Sequence, residues 1–117
     1  QGLCMLAATI FMATLGKQGM RELALHNRAR AVYAKAALAK IPGWRLPYPG
    51  PSFNEFVLEI PRESTGVHRH LLGKGIVAGL PLARYYPDRK NDLLITVTET
   101  NSRAQIDRFA KELRGAL

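Results

Sequence analysis

Residues 3–15 read LCMLAATIFMATL, and only Thr9 and Thr14 among them are polar. Alanine, leucine and methionine favour a helix here. A helix apolar on every side must be buried on every side. A chain of 117 residues cannot both surround such a helix and build a core of its own. The sequence therefore predicts that this helix packs into protein beyond these residues, a missing N-terminal domain, a second subunit or both, and reads Gln1 as a cut end. The run is too short for a bilayer, which needs ~20 apolar residues. It also lacks the basic n-region of a signal peptide. Cys4 lies on it and reads as a buried thiol packing like a small hydrophobe, not as a nucleophile.

Gly16 breaks this helix, and residues 17–41 begin a second. Met20, Leu23, Ala24, Ala31, Ala34, Leu38 and Ile41 repeat at helical spacing, with Arg21, Arg28 and Lys35 on the wet side. Pro42 and Gly43 stop it. Trp44-Arg45-Leu46 reads as a short strand and PYPGP (47–51) as a turn. SFNEFVLEIP (52–61) alternates, with Phe56, Leu58 and Ile60 on one face and Glu55, Val57 and Glu59 on the other, which predicts a half-buried strand. Residues 63–74 return to a helix, capped by Ser64 or Thr65, with Gly73 or Gly75 at its left-handed end. Ile76-Val77 starts a short strand, Gly79 to Pro81 turn, and DLLITVTE (92–99) is a β-branched strand. In SRAQIDRFAKELRGAL, Ser102 and Gln105 form a capping box, and Ile106, Phe109 and Leu113 make the apolar stripe. The expected fold is α+β: a small antiparallel sheet with helices packed on one face, preceded by two helices. Residues 1–41 form the helical segment and 42–117 the small domain.

The chemistry in this chain is sparse. His68-Arg69-His70 are two-apart histidines that diverge on a helix, so a metal site is not expected there. Glu55 and Glu59, four residues apart, share a strand face; a general acid–base pair is one reading, and a solvated strand face is the favoured one. The glycines of GKG and GIVAG follow a helix and lead into a strand, the reverse of a phosphate loop. None of the six lysines sits in a setting that marks a Schiff-base nucleophile. No catalytic, cofactor or metal residue is therefore nominated. The net charge of +8 is spread from end to end, which disfavours a dedicated nucleic-acid surface, although a small basic nucleic-acid module stays open as a reading that steep salt dependence would reveal. One cysteine suits a reducing compartment, and no membrane segment is expected. Arg84, Tyr85, Tyr86 and Lys90, in a loop after the second short strand, are the candidate partner contacts.

The order FNEFVLEIP, then LLGKGIVAGLPLARYYP, then LLITVTETNSRAQIDRFAKEL resembles the glycine cleavage system P-protein. The opening QGLCMLAATIFMATLGKQGMRELA is similar to the helices leading into the same region. NEF, KGI-x-x-G, YYP and VTET together carry the likeness, most closely to subunit 1 of the two-chain glycine dehydrogenase (decarboxylating). The resemblance implies a C-terminal small domain of the type found in pyridoxal-phosphate enzymes. It implies a cytoplasmic heterotetramer whose cofactor lysine belongs to subunit 2, and a lipoylated H-protein as the acceptor of the aminomethyl group. Relatives in this superfold carry a substrate-clamping arginine on the strand matching LLITVTE, and this strand has none. The fragment is thus expected to be structural, without cofactor of its own. The small domain of another pyridoxal-phosphate enzyme, such as an aminotransferase, is the alternative within this fold.

Overall fold

The computed structural model describes residues 1–116. Helix α1 runs Gly2–Leu38 and consists of two helices joined across a kink at Gly16, where the sequence places the break. The break is real but local: Gly16 alone departs from helical geometry, at φ 62° and ψ −175°. That is a conformation essentially confined to glycine. Thr9 and Thr14 donate their hydroxyls to the carbonyls of Met5 and Ile10 at 2.8 and 2.7 Å, so the two polar side chains of residues 3–15 are consumed within the helix. Its surface is left apolar and outside the fold: Leu3 is 80% exposed, and Cys4, expected to be buried, is exposed as well. The buried stripe begins lower down, at Asn27, Ala31, Ala34 and Leu38. Met20 and Ala24, expected on that stripe, face solvent because the small domain reaches only the C-terminal turns. The helix ends at Leu38, three residues before the expected Ile41, which instead bonds back to the Leu38 carbonyl in a turn ahead of Pro42.

Strand β1 is Glu55–Glu59, β2 is Leu80–Pro81 and β3 is Asp92–Thr96. All pair antiparallel in the order β1-β3-β2, so the strand latest in sequence lies in the middle. Phe56 faces Ile95 and Leu58 faces Leu93 across the ladder, which puts the alternating apolar residues of both strands on one face, as the alternation predicts. Against that face lie Ala34 and Leu38 of α1, Val67 and Leu71 of α2 (Ser64–Gly73), and Ile106 and Leu113 of α3 (Arg103–Gly115), in a single core. Trp44–Leu46 contributes one bridge, Arg45 opposite Glu59, and not a strand. β3 ends at Thr96, short of the expected Glu99.

The expected strand at Ile76-Val77 is a loop. Helix α2 closes in a Schellman turn: Ile76 N–H bonds the Leu71 carbonyl, Gly75 N–H bonds that of Leu72, and Gly75 sits at φ 72°. This turn sends the chain away from the sheet, and it returns to pair only at Leu80, inside the stretch read as a turn. The N-cap of α2 also differs. Glu63 occupies it without a side-chain bond, and the Ser64 hydroxyl is drawn instead to the Lys90 carbonyl at 2.8 Å. At α3 the expected box is present: Gln105 N–H donates to Ser102 Oγ at 3.2 Å, and Ser102 N–H donates to Gln105 Oε1 at 2.7 Å. Ser102→Ala is expected to cost about 1 kcal/mol in thermal unfolding, and Ser102→Asp to retain most of it.

Candidate functional site

The partner-contact candidates lie together on the segment 82–92, between β2 and β3. A 3₁₀ turn, Leu82–Arg84, starts it, and Tyr85 and Tyr86 both donate backbone N–H to the Leu82 carbonyl. Arg89 N–H then bonds the Tyr86 carbonyl at 2.8 Å. The loop is fastened to the body at its far end. The Lys90 carbonyl accepts from both the backbone N–H and the hydroxyl of Ser64, each at 2.8 Å. Arg84, Tyr85, Tyr86 and Lys90 are consequently exposed side chains on a fixed backbone. The Arg84 guanidinium lies 5.7 Å from the centre of the Tyr85 ring, and Arg89 lies 5.8 Å from that of Tyr48. Exposed tyrosines beside arginines are the composition of interface anchors. Ser64 was singled out from the sequence only as a helix cap and Tyr48 not at all, since their roles here depend on a carbonyl and a cation distant in the chain.

Asp92 anchors the loop from below. It is 3% exposed, and its Oδ2 accepts from Arg89 Nη1 at 3.4 Å. Burial pushes its carboxyl pKa up, Arg89 pulls it down, and Glu59 adds to the rise. A carboxyl that binds its proton more tightly when folded stabilises the fold most below the unfolded pKa of about 3.9, and that contribution is lost as pH rises through the folded value. Asp92→Asn is therefore expected to lose less thermal stability than the parent chain between pH 4 and pH 7. Melting curves at the two pH values check this, and parallel losses would refute it.

The remaining candidates separate. Glu59 is paired with Arg45 at 2.5 Å, and Glu55 accepts from Thr96 Oγ1 at 3.3 Å. Four strand residues put these carboxylates about 13 Å apart, so they form no acid–base pair. His70 is exposed, and His68 has a buried Nδ1 without a partner. Among the described residues no group of three His, Cys, Asp or Glu is placed to hold a metal.

A second feature had no signal in the sequence. A groove of about 880 Å³ opens between the 75–80 loop, the end of β3 and the first turns of α3. Ile76, Val77, Leu80 and Leu94 give it an apolar lining, with His68, Thr96 and Arg108 among its polar groups. No lysine or aspartate lines it, and Lys74 on the adjoining turn is paired with Glu112 at 2.5 Å. The residues here do not fit a site holding pyridoxal phosphate through a lysine.

A family model described as glycine cleavage system P-protein matches residues 1–113. The probable glycine dehydrogenase (decarboxylating) subunit 1 of Geotalea uraniireducens (strain Rf4) is 48% identical over 117 residues, all of this chain and 26% of that protein. The corresponding protein of Geobacillus sp. (strain WCH70) is 45% identical over 113 residues, 97% of this chain and 25% of its own. The chain thus spans about a quarter of the length of these curated relatives. Among solved structures, inhibitor-bound glycine decarboxylase (P-protein) of the glycine cleavage system superposes with a TM-score of 0.83 at 32% identity, over 92% of this chain and 24% of that one. The aminotransferase TlmJ from Streptoalloteichus hindustanus gives 0.61 at 17% identity, over 89% of this chain and 35% of its own, a likeness of fold alone.

Proposed function

The chain belongs to the glycine cleavage system P-protein family, and from that premise we propose that it is a structural, non-catalytic part of subunit 1 in a two-chain glycine dehydrogenase (decarboxylating). The 48% identity to a subunit 1, running the full length of this chain, carries the reading. The whole enzyme would decarboxylate glycine with pyridoxal phosphate held by subunit 2, and pass the aminomethyl group to the lipoyl arm of H-protein in the cytoplasm. This part would supply the small domain, from the C-terminal region of its subunit. The exposed apolar half of α1 supports that role, because such a surface needs the larger body of the subunit over it. A lipid surface is the poorer partner. α1 is long and apolar enough overall to cross a membrane, but Lys17, Arg21 and Glu22 end its uncharged stretch at Gly16. Fifteen residues span about 22 Å, short of a bilayer core of about 30 Å. Nucleic acid is no partner in this reading.

The test joins the isolated chain and the whole enzyme. The chain alone should retain no pyridoxal phosphate after dialysis, while subunit 1 lacking this segment should fail to support glycine decarboxylation with subunit 2. Stoichiometric cofactor on the chain, or full activity without it, overturns the reading.

We assign to Arg84, Tyr85, Tyr86 and Lys90 the docking of H-protein, on the strength of their exposure and the +8 charge. Complementary charge raises encounter rates and falls off with salt. Arg84→Glu with Lys90→Glu in the complete enzyme should weaken apparent H-protein affinity roughly tenfold at low salt and far less at high salt. Equal affinity at low salt removes these residues from the interface.

A further inference from the structure

The groove beside β3 is built around an interrupted sheet edge. Val97 N–H bonds the Asn54 carbonyl at 2.9 Å, and Ile60 N–H bonds that of Asn91 at 2.9 Å. Bonding pairs alternate along an antiparallel ladder, so residues 93, 95 and 97 turn their backbone groups to β1, while 94 and 96 turn theirs the other way. Leu94 meets Leu80 there. Thr96 would meet Ala78 if β2 continued, but the β2 ladder stops at Leu94 because Gly79, at φ 103°, carries the chain off the extended path. The backbone N–H and C=O of Thr96 therefore open into the groove. Val77, on the bowed loop, is 77% exposed beside them, and His68, whose buried Nδ1 has no partner, is among the lining residues.

An open strand edge with an apolar lining is a template for a further strand. We propose that this groove is filled in the complete protein by an extended, apolar segment of the same subunit, from outside these 117 residues, which bonds the backbone of Thr96 and covers Val77. The proposal rests on the reading of the chain as part of a longer subunit. Two observations choose this occupant. The relatives are about four times the length of the chain, so most of the subunit is available. The lining is apolar with few charges, which suits permanent cover, and a tethered segment competes at high effective concentration.

The test uses the complete heterotetramer, with p-benzoylphenylalanine in place of Val77 in subunit 1. After irradiation, a cross-link mapped by mass spectrometry to another part of subunit 1 is expected. Cross-links only to subunit 2, or none, overturn the proposal. In the unsubstituted complex, Thr96 N–H should exchange with solvent about 100-fold more slowly than in the isolated chain, where Val97 N–H but not Thr96 N–H has a partner. Equal exchange in both overturns it too. Glycine decarboxylation measured on the same preparations reads the functional assignment separately: an active enzyme with no cross-link refutes the strand alone.

Discussion

Gly79→Ala is expected to destabilise the chain by about 2–5 kcal/mol, from backbone strain together with overpacking. Two costs coincide at this position. Its φ of 103° is one that residues with a side chain rarely adopt. An added Cβ would also strike the Leu94 carbonyl oxygen, with the Ile95 side chain 3.2 Å away. That oxygen belongs to the central strand and cannot yield without loosening β2 or β3. Gly75→Ala is the internal control. Gly75 also has positive φ, 72°, but a Cβ there meets nothing, so only the left-handed backbone cost of roughly 1–2 kcal/mol remains. Urea unfolding of the two variants side by side measures the difference, and equal losses would mean that the close approach at Gly79 is without consequence.

Leu93→Ala should cost a similar 2–5 kcal/mol through a different cause, the cavity left in the core. Leu93 is 0% exposed, lies opposite Leu58 on one side and Pro81 on the other, and packs in the cluster shared by every helix. A central strand between two neighbours has little freedom to collapse into the space, which places the loss in the upper part of the range. Val77→Ala shortens an exposed side chain in the loop and should stay within about 0.5 kcal/mol. A Leu93→Ala loss below 1 kcal/mol would contradict the packed core described above.

Much of the local structure was legible in the order of residues. The alternation of Phe56, Leu58 and Ile60 named the buried face of β1, and all three are in the core. Ser102 and Gln105 marked the start of α3, and both halves of the box form. Gly75 was one of two glycines expected at the left-handed end of α2, and it takes that place. Each signal depends on a few adjacent residues and on backbone groups within one turn.

The misreadings arose where a distant group outbid a local one. Ser64 has the side chain of a helix cap, yet the Lys90 carbonyl, 26 residues away, takes its hydroxyl. Ile76-Val77 has strand propensity, but the Schellman turn directs it away from β3.

By itself the sequence determined the periods, the caps and the need of residues 3–15 for apolar surroundings, because these follow from the spacing and chemistry of neighbours. Only the tertiary structure decided that β3 lies between β1 and β2, that residues 82–92 are held as a fixed exposed loop, and that the edge at Thr96 stays open. Those outcomes depend on pairing between segments far apart in the chain, where burial of the shared core and satisfaction of backbone hydrogen bonds outweigh local preference.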